Sequence, residues 1–341
     1  MIAFVACNKE EKTTYVADQN GNVTLRMSGE NWQNTGKQTY MDMFNRVAFD
    51  AGDQVLINGV TATITPCDVN GVTVNADDTP IAYSFYGMMT VAGTVLNGND
   101  YVLYPAQIFT AGTAADMSDY ALTMPSNPMF IEANANTELG EDYAWPMGAK
   151  LSGNQFLLKN TVAVVTPSIK YGPSFVNALA TMTNSPIANE GVDIMTGYNF
   201  PELWITGIEL VSTDQMLSGA AHVENMATDP TLVMDGTVSG TDVLTVNIPD
   251  PIQVEPTGNS EALLGNLTVA PFEAGKHLQM NVTFQLIFPE TGHTYDFVYT
   301  GSNVELTDTP NYFSILRSKR STLCANLYQA AAIDKVALAE D

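Results

Sequence analysis

The residues of this chain whose side chains could do chemistry are three cysteines, three histidines and two adjacent acidic pairs away from the chain ends. Nucleophilic catalysis needs a Ser or Cys beside a base, but no G-x-S-x-G turn occurs. The histidines (His222, His277 and His293) are isolated in sequence from one another and from every cysteine. Cys67 and Cys324 fall in strand-like stretches, which is typical of buried thiols. The odd number of cysteines and the lack of C-x-x-C spacing favour neither disulfides nor a metal site, so we expect no enzyme, cofactor or metal.

The two adjacent acidic pairs that lie away from the chain ends are Asp77-Asp78 and Glu141-Asp142. Two carboxylates facing one sugar ring are what a glycosidase requires, and loop carboxylates are ligands for Ca²⁺. In a chain with 37 acidic residues such pairs arise by chance, and no twelve-residue calcium loop accompanies them. The sequence therefore predicts solvated loop residues at both places.

The charge of the chain limits its partners. It carries 13 Lys and Arg residues against 37 Asp and Glu, which gives a net charge of −24. No Lys or Arg occurs between Arg46 and Lys150 or between Lys170 and Lys276. Phosphate backbones and anionic lipid surfaces are bound by basic residues, so nucleic acid and anionic membrane surfaces are excluded as partners. A charged fraction of only 15%, with Thr, Asn, Ser and Gly as the polar residues, indicates an all-β extracellular protein.

The first residues have the pattern of an export signal. Residues 2–6 (Ile-Ala-Phe-Val-Ala) are apolar and small, and Cys7 follows them directly. This arrangement resembles the lipobox of bacterial lipoproteins, in which the cysteine thiol is acylated, although Phe4 stands where Leu is usual. Residues 9–11 (Lys-Glu-Glu) are similar to the export signal of Bacteroidetes surface lipoproteins. Six residues are too few for a whole signal, so we expect an upstream start or a trimmed signal; an ordinary hydrophobic strand start is the alternative.

Short apolar runs separated by turn residues fill the first half from residue 47. Asn58-Gly59 and Asn70-Gly71 each stand between apolar stretches, and Asn-Gly is a strong signal for a hairpin turn. Residues 101–104 form another predicted strand, which Pro105 ends. The Pro-rich stretch 106–150 is predicted to be long loops with one strand. Strands at this spacing are typical of a β-sandwich or a β-barrel.

The second half repeats the strand pattern. The longest apolar run covers residues 155–167, and residues 204–211 alternate strictly, with Trp204 and Ile208 expected on one face. Residues 277–288 predict a strong strand that pairs with residues 295–299. Only residues 326–338 have a helix-permissive composition. We therefore predict an all-β chain organised as a lipobox remnant (1–7), a tether (8–40), an N-terminal β-sandwich (41–150) and a C-terminal β-sandwich (151–341).

The order of several short motifs resembles the Bacteroidetes fimbrillin superfamily. In sequence order, these motifs are Phe49-Asp50-Ala51-Gly52-Asp53, Tyr104-Pro105, Leu122-Thr123-Met124-Pro125, Phe156-Leu157-Leu158-Lys159-Asn160, Ile205-Thr206-Gly207-Ile208-Glu209-Leu210 and Leu217-Ser218-Gly219-Ala220-Ala221-His222-Val223. The resemblance covers about residues 47–330, with Phe49 where Trp is usual and without an aromatic-rich final strand.

This resemblance implies a non-enzymatic fimbrial subunit or adhesin made of two tandem transthyretin-like Greek-key β-sandwich domains. It implies a lipid anchor on Cys7 at the outer membrane and a proteolytic cut after an arginine near the N-terminus, for which Arg26 and Arg46 are the candidates. Removal of the first strand then opens a groove that accepts a donor strand from another fimbrial subunit. Residues 325–341 are a candidate donor strand, and a host protein or glycan is a further candidate partner.

A cluster of aromatic residues supports an alternative, a monomeric glycan-binding surface lipoprotein. Tyr83, Phe85, Tyr86, Tyr101 and Tyr104 lie close together in sequence, and sugars stack on exposed aromatic rings. Tyr83 and Phe85 share one face of a predicted strand, so core packing is the competing interpretation.

Overall fold

The structure is a computed structural model that describes residues 15–30, 33–34, 47–130, 145–257, 260–306, 317 and 319–339. Strands dominate, and the all-β prediction is confirmed. The strands of the first half are β1 (Asn22–Gly29), β2 (Gln33–Asn34), β3 (Phe49–Asp50), β4 (Gln54–Ile57), β5 (Val60–Thr63), β6 (Thr65–Cys67), β7 (Tyr83–Ser84), β8 (Tyr86–Ala92), β9 (Tyr101–Tyr104), β10 (Ala121–Met124), β11 (Met147–Lys150) and β12 (Gln155–Asn160).

In the described part of the second half there are thirteen strands and the α-helix α1 (Pro173–Thr181). Its strands are β13 (Ala163–Tyr171), β14 (Glu202–Ser212), β15 (Gly219–Glu224), β16 (Thr231–Met234), β17 (Asp242–Thr245), β18 (Ile252–Val254), β19 (Ala262–Leu263), β20 (Leu267–Val269), β21 (His277–Ile287), β22 (Thr294–Thr300), β23 (Val304–Glu305), β24 (Lys319–Leu327) and β25 (Val336–Leu338). Short 3-10 turns occupy Gly93–Val95, Ala106–Ile108 and Ala330–Lys335. Among the described residues, no helix is long and apolar enough to cross a membrane.

An eight-stranded sheet forms the body of the first half. Its strand order is β5-β4-β9-β11-β12-β1-β8-β6, so the N-terminal strand β1 lies inside the sheet. Buried residues of all the longer strands share one hydrophobic core, which includes Leu25, Ile57, Val102 and Leu158. The two-stranded pair β3-β7 brings Phe49 into the same core.

Two sheets form a β-sandwich in the second half. One sheet has the order β17-β14-β21-β22-β25, with β18 also paired to β14 and β23 to β21. The other has the order β19-β13-β24-β2, with β20 also paired to β13. Ile169, Ile205, Phe284 and Leu327 come from both sheets into one core, and Phe175 of α1 joins them. The predicted β-sandwich is confirmed, whereas the tandem transthyretin-like arrangement stays a prediction.

The sheets do not divide the chain at residue 150. β12 lies beyond that boundary but belongs to the first sheet, while β2 pairs in parallel with β24 of the second half. β10 leaves the first half to pair with β15, which completes a three-stranded sheet with β16. Local patterning shows where strands occur, but it does not show which distant strand each one joins. The division into two domains at residue 150 stays a prediction.

The prediction of a tether over residues 8–40 is wrong for the segment that forms β1. Val23, Leu25 and Met27 alternate with polar residues, and the alternating side chains point to the buried face. The segment contains only three large apolar residues, and Asn, Thr, Arg and Ser make its composition polar. Composition therefore suggested a tether, whereas the alternation of apolar and polar residues indicates a strand. The rest of the tether, except for residues 15–21, Glu30 and β2, lies outside the described residues.

The Asn58-Gly59 hairpin is confirmed. It joins β4 to β5, and both residues have positive φ, 49° and 80°, as a type I′ turn requires. At Asn70-Gly71 only Gly71 has positive φ, and the carboxylate of Asp68 accepts hydrogen bonds from the backbone of Asn70 and Val72. That second Asn-Gly therefore closes a loop and does not join two paired strands.

Two local predictions in the second half are corrected. A β-bulge between Ile205 and Gly207 shifts the register of β14, so that Ile205 and Ile208 are both buried and Trp204 and Ile208 face opposite sides. The helix-permissive stretch 326–338 instead continues β24, makes a 3-10 turn and ends in β25, which pairs with β22. The helix that does form, α1, begins at Pro173, the residue type preferred at a first helical position.

Candidate functional site

The N-terminal strand β1 is hydrogen-bonded on both edges. It pairs in parallel with β12, from Arg26 opposite Gln155 to Gly29 opposite Leu158, and antiparallel with β8. Val23, Leu25 and Met27 are 2%, 0% and 3% exposed. A segment near the start of the chain thus supplies both pairing and core side chains to the middle of a sheet. We call the space it occupies between β8 and β12 the β1 groove.

Two glycines allow β1 to fit closely in its groove, Gly87 of the neighbouring strand β8 and Gly29 of β1 itself. Gly87 of β8 lies opposite Met27, and a Cβ on Gly87 would approach Cε of Met27 to 3.1 Å and Cγ2 of Ile64 to 2.7 Å. The missing side chain therefore makes the room that Met27 fills. At Gly29, a Cβ would lie 3.4 Å from the carbonyl oxygen of Val47, so a methyl group fits and larger groups do not have the same room.

A partly buried ion pair lies where the chain leaves β1. The Glu30 carboxylate accepts a hydrogen bond from Nη1 of Arg317 at 2.7 Å and from the backbone N–H of Asn160 at 3.0 Å. Nη1 of Arg317 also donates to the carbonyl oxygen of Asn160 at 2.7 Å. The side chains of Arg317 and Glu30 are only 16% and 18% exposed. The exit of β1 is therefore held by a residue 287 positions away.

The second half of the chain contributes a further carboxylate to this pair. Nη2 of Arg317 lies 2.6 Å from Oδ1 of Asp229, whose side chain is 59% exposed. Burial lowers the pKa of Arg317, but the hydrogen bonds and charges of Glu30 and Asp229 outweigh it and raise the pKa above its usual value. Lys159 donates to the carbonyl oxygen of Thr228 at 2.6 Å beside it. Arg317 is thus a permanent cation at the end of the β1 groove.

Of the sequence-predicted site residues, Arg26 is described and Cys7 and Arg46 lie outside the described residues. Arg26 occupies the middle of β1, and its Nη2 donates to the carbonyl oxygen of Val69 at 2.7 Å. A Cβ on Gly71 would come within 3.1 Å of the Arg26 guanidinium, so the loop that carries Val69 lies against this side chain. The structure therefore does not present Arg26 as an isolated, accessible arginine.

The two described cysteines are free thiols on separate strands. Cys67 is 1% exposed, as predicted, and burial raises its pKa. Cys324 is partly buried in β24, and burial raises its pKa as well. Neither thiol is activated toward nucleophilic chemistry, because only the thiolate reacts.

The predicted aromatic cluster is divided between core and surface. Tyr101 and Tyr104 are 4% and 2% exposed, and the Tyr104 hydroxyl donates to Oδ2 of Asp53 at 2.8 Å. Tyr83 is 59% exposed, whereas Phe85 and Tyr86 are half-buried. The core interpretation holds for the two tyrosines of β9, and Tyr83 alone of the five is a strongly exposed ring.

The predicted acidic pairs and histidines do not converge. Asp77 accepts hydrogen bonds from Thr79, which lower its pKa, and Glu141-Asp142 lies outside the described residues. His222, His277 and His293 each contact a different carboxylate. Within the described ranges, no group of three or more His, Cys, Asp or Glu side chains is arranged to hold a metal ion.

Sequence reasoning missed Glu30, Arg317 and Asn160. The signal available was the acidic residue directly after the alternating run of β1. Nothing in the sequence links it to an arginine near the other end of the chain, because that contact depends on β24 lying beside β13 and β2.

No protein-family description and no curated protein matches the chain. Solved structures do resemble it. A candidate cell adhesion protein from Bacteroides eggerthii is 11% identical, with 93% of this chain and 90% of that chain covered and a TM-score of 0.40. A fimbrial protein from Bacteroides ovatus is 11% identical, with 89% of this chain but only 48% of that chain covered and a TM-score of 0.30.

The fimbrial anchor protein Mfa2 from Porphyromonas gingivalis is also 11% identical, with 88% of this chain and 90% of that chain covered and a TM-score of 0.28. At these values the likeness assigns no role to this chain.

Proposed function

We propose that this chain is a non-enzymatic cell-surface fimbrial subunit or adhesin that accepts a strand from another subunit in place of β1. The observation that carries the proposal is the position of β1, which is the first strand among the described residues and yet lies inside the eight-stranded sheet. A single cut between β1 and residue 47 would leave it attached only by hydrogen bonds and packing.

The groove without its strand would be unstable. It would carry two unpaired strand edges, β8 and β12, and an apolar floor that Val23, Leu25 and Met27 now cover. Full burial of each such side chain contributes roughly 1.5–3 kcal/mol, so an empty groove has a strong drive to bind another strand. Strand addition to an exposed sheet edge is a general mode of protein association.

Arg46 is the favoured processing site. It precedes Val47 and Phe49, which are 9% and 0% exposed and begin the remaining body of the first half. A cut there would free the whole of β1. Arg26 lies within the paired strand, and a cut there would divide β1 and leave residues 27–29 attached.

The donor strand is proposed to come from the C-terminal residues of a neighbouring subunit, either another copy or a related protein. β24 is held between β13 and β2, so residues 325–327 would not be released easily. The three-residue strand β25 lies at the edge of its sheet, and Leu338 is 52% exposed. The donor segment therefore lies after residue 327.

Cys7 is proposed to carry a lipid that anchors the unprocessed chain at the outer membrane. The apolar residues 2–6 and the Lys-Glu-Glu sequence that follows support this. Processing at Arg46 would release the body of the protein from that anchor.

A monomeric glycan-binding surface lipoprotein is the second candidate function. It is favoured by Tyr83, which is 59% exposed and lies near the exposed Val72 and Val74 in sequence. Exposed aromatic rings are the groups on which sugars stack.

Limited tryptic digestion of the folded protein, followed by size-exclusion chromatography and negative-stain microscopy, tests the first proposal. We expect an early cut after Arg46 in the wild type and in Arg26→Ala, and no cut at that bond in Arg46→Ala. Because trypsin also cleaves after lysine, Lys37→Ala is combined with each variant. Ladders or filaments should form only from cut protein. A cut product that stays monomeric and binds a glycan array would favour the second candidate.

A further inference from the structure

We infer that the β1 groove selects its incoming strand at three positions, which require a large apolar residue, then a glycine or alanine, then an acidic residue. In this chain the three positions are held by Met27, Gly29 and Glu30. The inference rests on the proposed function, because it concerns the strand that replaces β1. The occupant is a strand of another subunit with the pattern apolar-x-apolar-x-large-x-(Gly/Ala)-acidic.

The first selective position is that of Met27, whose side chain fills the space left by the missing side chain of Gly87. Because a Cβ at Gly87 would crowd both Ile64 and Met27, the groove is built for one long side chain at the position of Met27. A small residue there would leave a cavity in a core where Leu25 is fully buried. The groove therefore favours strands with Met, Leu or Phe at this place.

The second selective position is the narrow place at Gly29. A Cβ there would lie 3.4 Å from the Val47 carbonyl oxygen, 3.7 Å from Cε of Met147 and 3.8 Å from Cζ of Phe49. These are ordinary van der Waals contacts for a methyl group. A larger side chain would have to fit against the Val47 backbone oxygen, which cannot move aside as a flexible side chain can, so we expect this position to disfavour Val, Ile and Leu.

The third selective position is the cation at the end of the groove. Arg317 binds the Glu30 carboxylate through Nη1 at 2.7 Å and Nη2 at 3.4 Å, and the backbone N–H of Asn160 binds the same carboxylate. When β1 leaves, Asp229, whose side chain is 59% exposed, is the one carboxylate among the described residues that still pairs with Arg317. An incoming carboxylate restores the partly buried pair, whereas a neutral residue leaves a partly buried guanidinium with fewer acceptors.

The acid also fixes the register of the strand. The chain carries a net charge of −24, so an acidic strand is disfavoured by the overall charge and favoured only where a cation stands. A slip of one residue would turn every apolar side chain to solvent, and a slip of two would move the carboxylate away from Arg317. Pairing with Arg317 therefore opposes the two-residue slip that apolar alternation alone would permit.

The test uses the full chain cut after Arg46 and fluorescent, C-terminally amidated peptides with the sequence of residues 20–31, which end before β2 and therefore do not include the residue that pairs with Arg320. Four peptides are compared by anisotropy: the native sequence and the variants Glu30→Gln, Gly29→Val and Gly29→Ala. Each is measured on wild-type protein, on Arg317→Gln and on Arg320→Gln. Arg320 is the matched control because it lies in the same strand region and its Nε donates to Oγ1 of Thr166.

On wild type and on Arg320→Gln, we expect the native peptide to bind roughly ten- to a hundredfold more tightly than Glu30→Gln, as for hydrogen bonds to charged groups. On Arg317→Gln the two peptides should bind alike, within about twofold. Gly29→Ala should bind like the native peptide, and Gly29→Val at least about tenfold more weakly, because a change of 1.4 kcal/mol is tenfold in affinity.

Equal binding of the native and Glu30→Gln peptides to wild type would overturn the inference and leave the strand-acceptor proposal standing. If no peptide enters the cut protein, the groove accepts no strand, and the proposed function fails with the inference. Should Arg317→Gln fail to fold, Arg317→Lys keeps the charge without the planar fork, and the preference for Glu must then fall while remaining above unity.

Discussion

The carboxylate of Glu190 lies 2.9 Å from Nδ1 of His293, although 103 positions separate the two residues. Glu190 is 5% exposed and also accepts hydrogen bonds from the hydroxyls of Tyr295 at 2.5 Å and Thr291 at 2.6 Å. This cluster joins the segment after α1 to the turn between β21 and β22. The carboxylate is buried but fully hydrogen-bonded, which is how proteins accommodate a buried charge.

Glu190→Gln should destabilise the protein by about 1–3 kcal/mol, because it weakens hydrogen bonds to a charged group at a buried site. Urea unfolding of the variant and the wild type measures the difference. Glu290→Gln, at an exposed position in the neighbouring turn, is the matched control and should change stability by less than about 0.5 kcal/mol. Equal losses from both substitutions would contradict the role of the Glu190 cluster.

The Glu190 cluster should also make stability depend on acid. Burial raises the pKa of Glu190, but hydrogen bonds from Thr291, Tyr295 and His293 outweigh it, so the pKa lies below the usual 4.5. A depressed pKa stabilises the fold above the unfolded pKa, and this contribution is lost as pH falls through the folded pKa. The difference between wild type and Glu190→Gln should therefore shrink below about pH 4.5; a difference that is constant from pH 7 to pH 3 would be the contrary result.

His222 should give the opposite pH dependence. Burial lowers the pKa of His222, but hydrogen bonds and charges from Asp235 and Glu224 outweigh it and raise the pKa above 6.5. A raised histidine pKa stabilises the fold below the unfolded pKa, and this stability is lost as pH rises through the folded pKa. NMR titration should show a raised pKa that falls toward the usual value in Asp235→Asn. An unchanged titration in that variant would argue against the pairing.

Alanine substitution should destabilise the protein at the buried Tyr101 but not at the exposed Tyr83. Tyr101→Ala should cost about 3–5 kcal/mol of stability, because it empties a large buried volume at a residue that is 4% exposed. Tyr83→Ala should leave the melting temperature nearly unchanged. If Tyr83→Ala abolishes glycan retention with its stability intact, the glycan-binding alternative gains direct support; retention equal to wild type would remove Tyr83 from that role.

The hairpin at Gly59 should be sensitive to a single methyl group. Gly59 has φ of +80°, and a Cβ there would collide with the hydroxyl of Tyr120. Gly21 has φ of +78° with nothing within 4 Å, so Gly21→Ala reports backbone strain alone, about 1–2 kcal/mol. Gly59→Ala should cost more than Gly21→Ala, and adding Tyr120→Phe should recover part of the excess. Equal costs in thermal unfolding would show that the contact with Tyr120 does not matter.

Local patterns were sufficient to predict much of this fold. The run 277–288 predicted β21 and its pairing with β22, the run 101–104 predicted β9, and Asn58-Gly59 predicted a hairpin, because each signal acts between residues close in sequence. The same reasoning misread β14, where a bulge at Gly207 changes the face, and missed α1, whose nine residues carry few helix signals beyond Pro173.

Composition and short-range periodicity were sufficient to predict the β-rich architecture, the acidic net charge and the burial of the Cys67 thiol. Only the tertiary contacts show that residues 22–29 form an interior strand and that Glu30 forms an ion pair with Arg317. Both depend on parallel pairing between distant segments, β1 with β12 and β24 with β13, and no local preference specifies such partners. The proposed strand-accepting groove is therefore a property of the folded chain, built by contacts across almost its whole length.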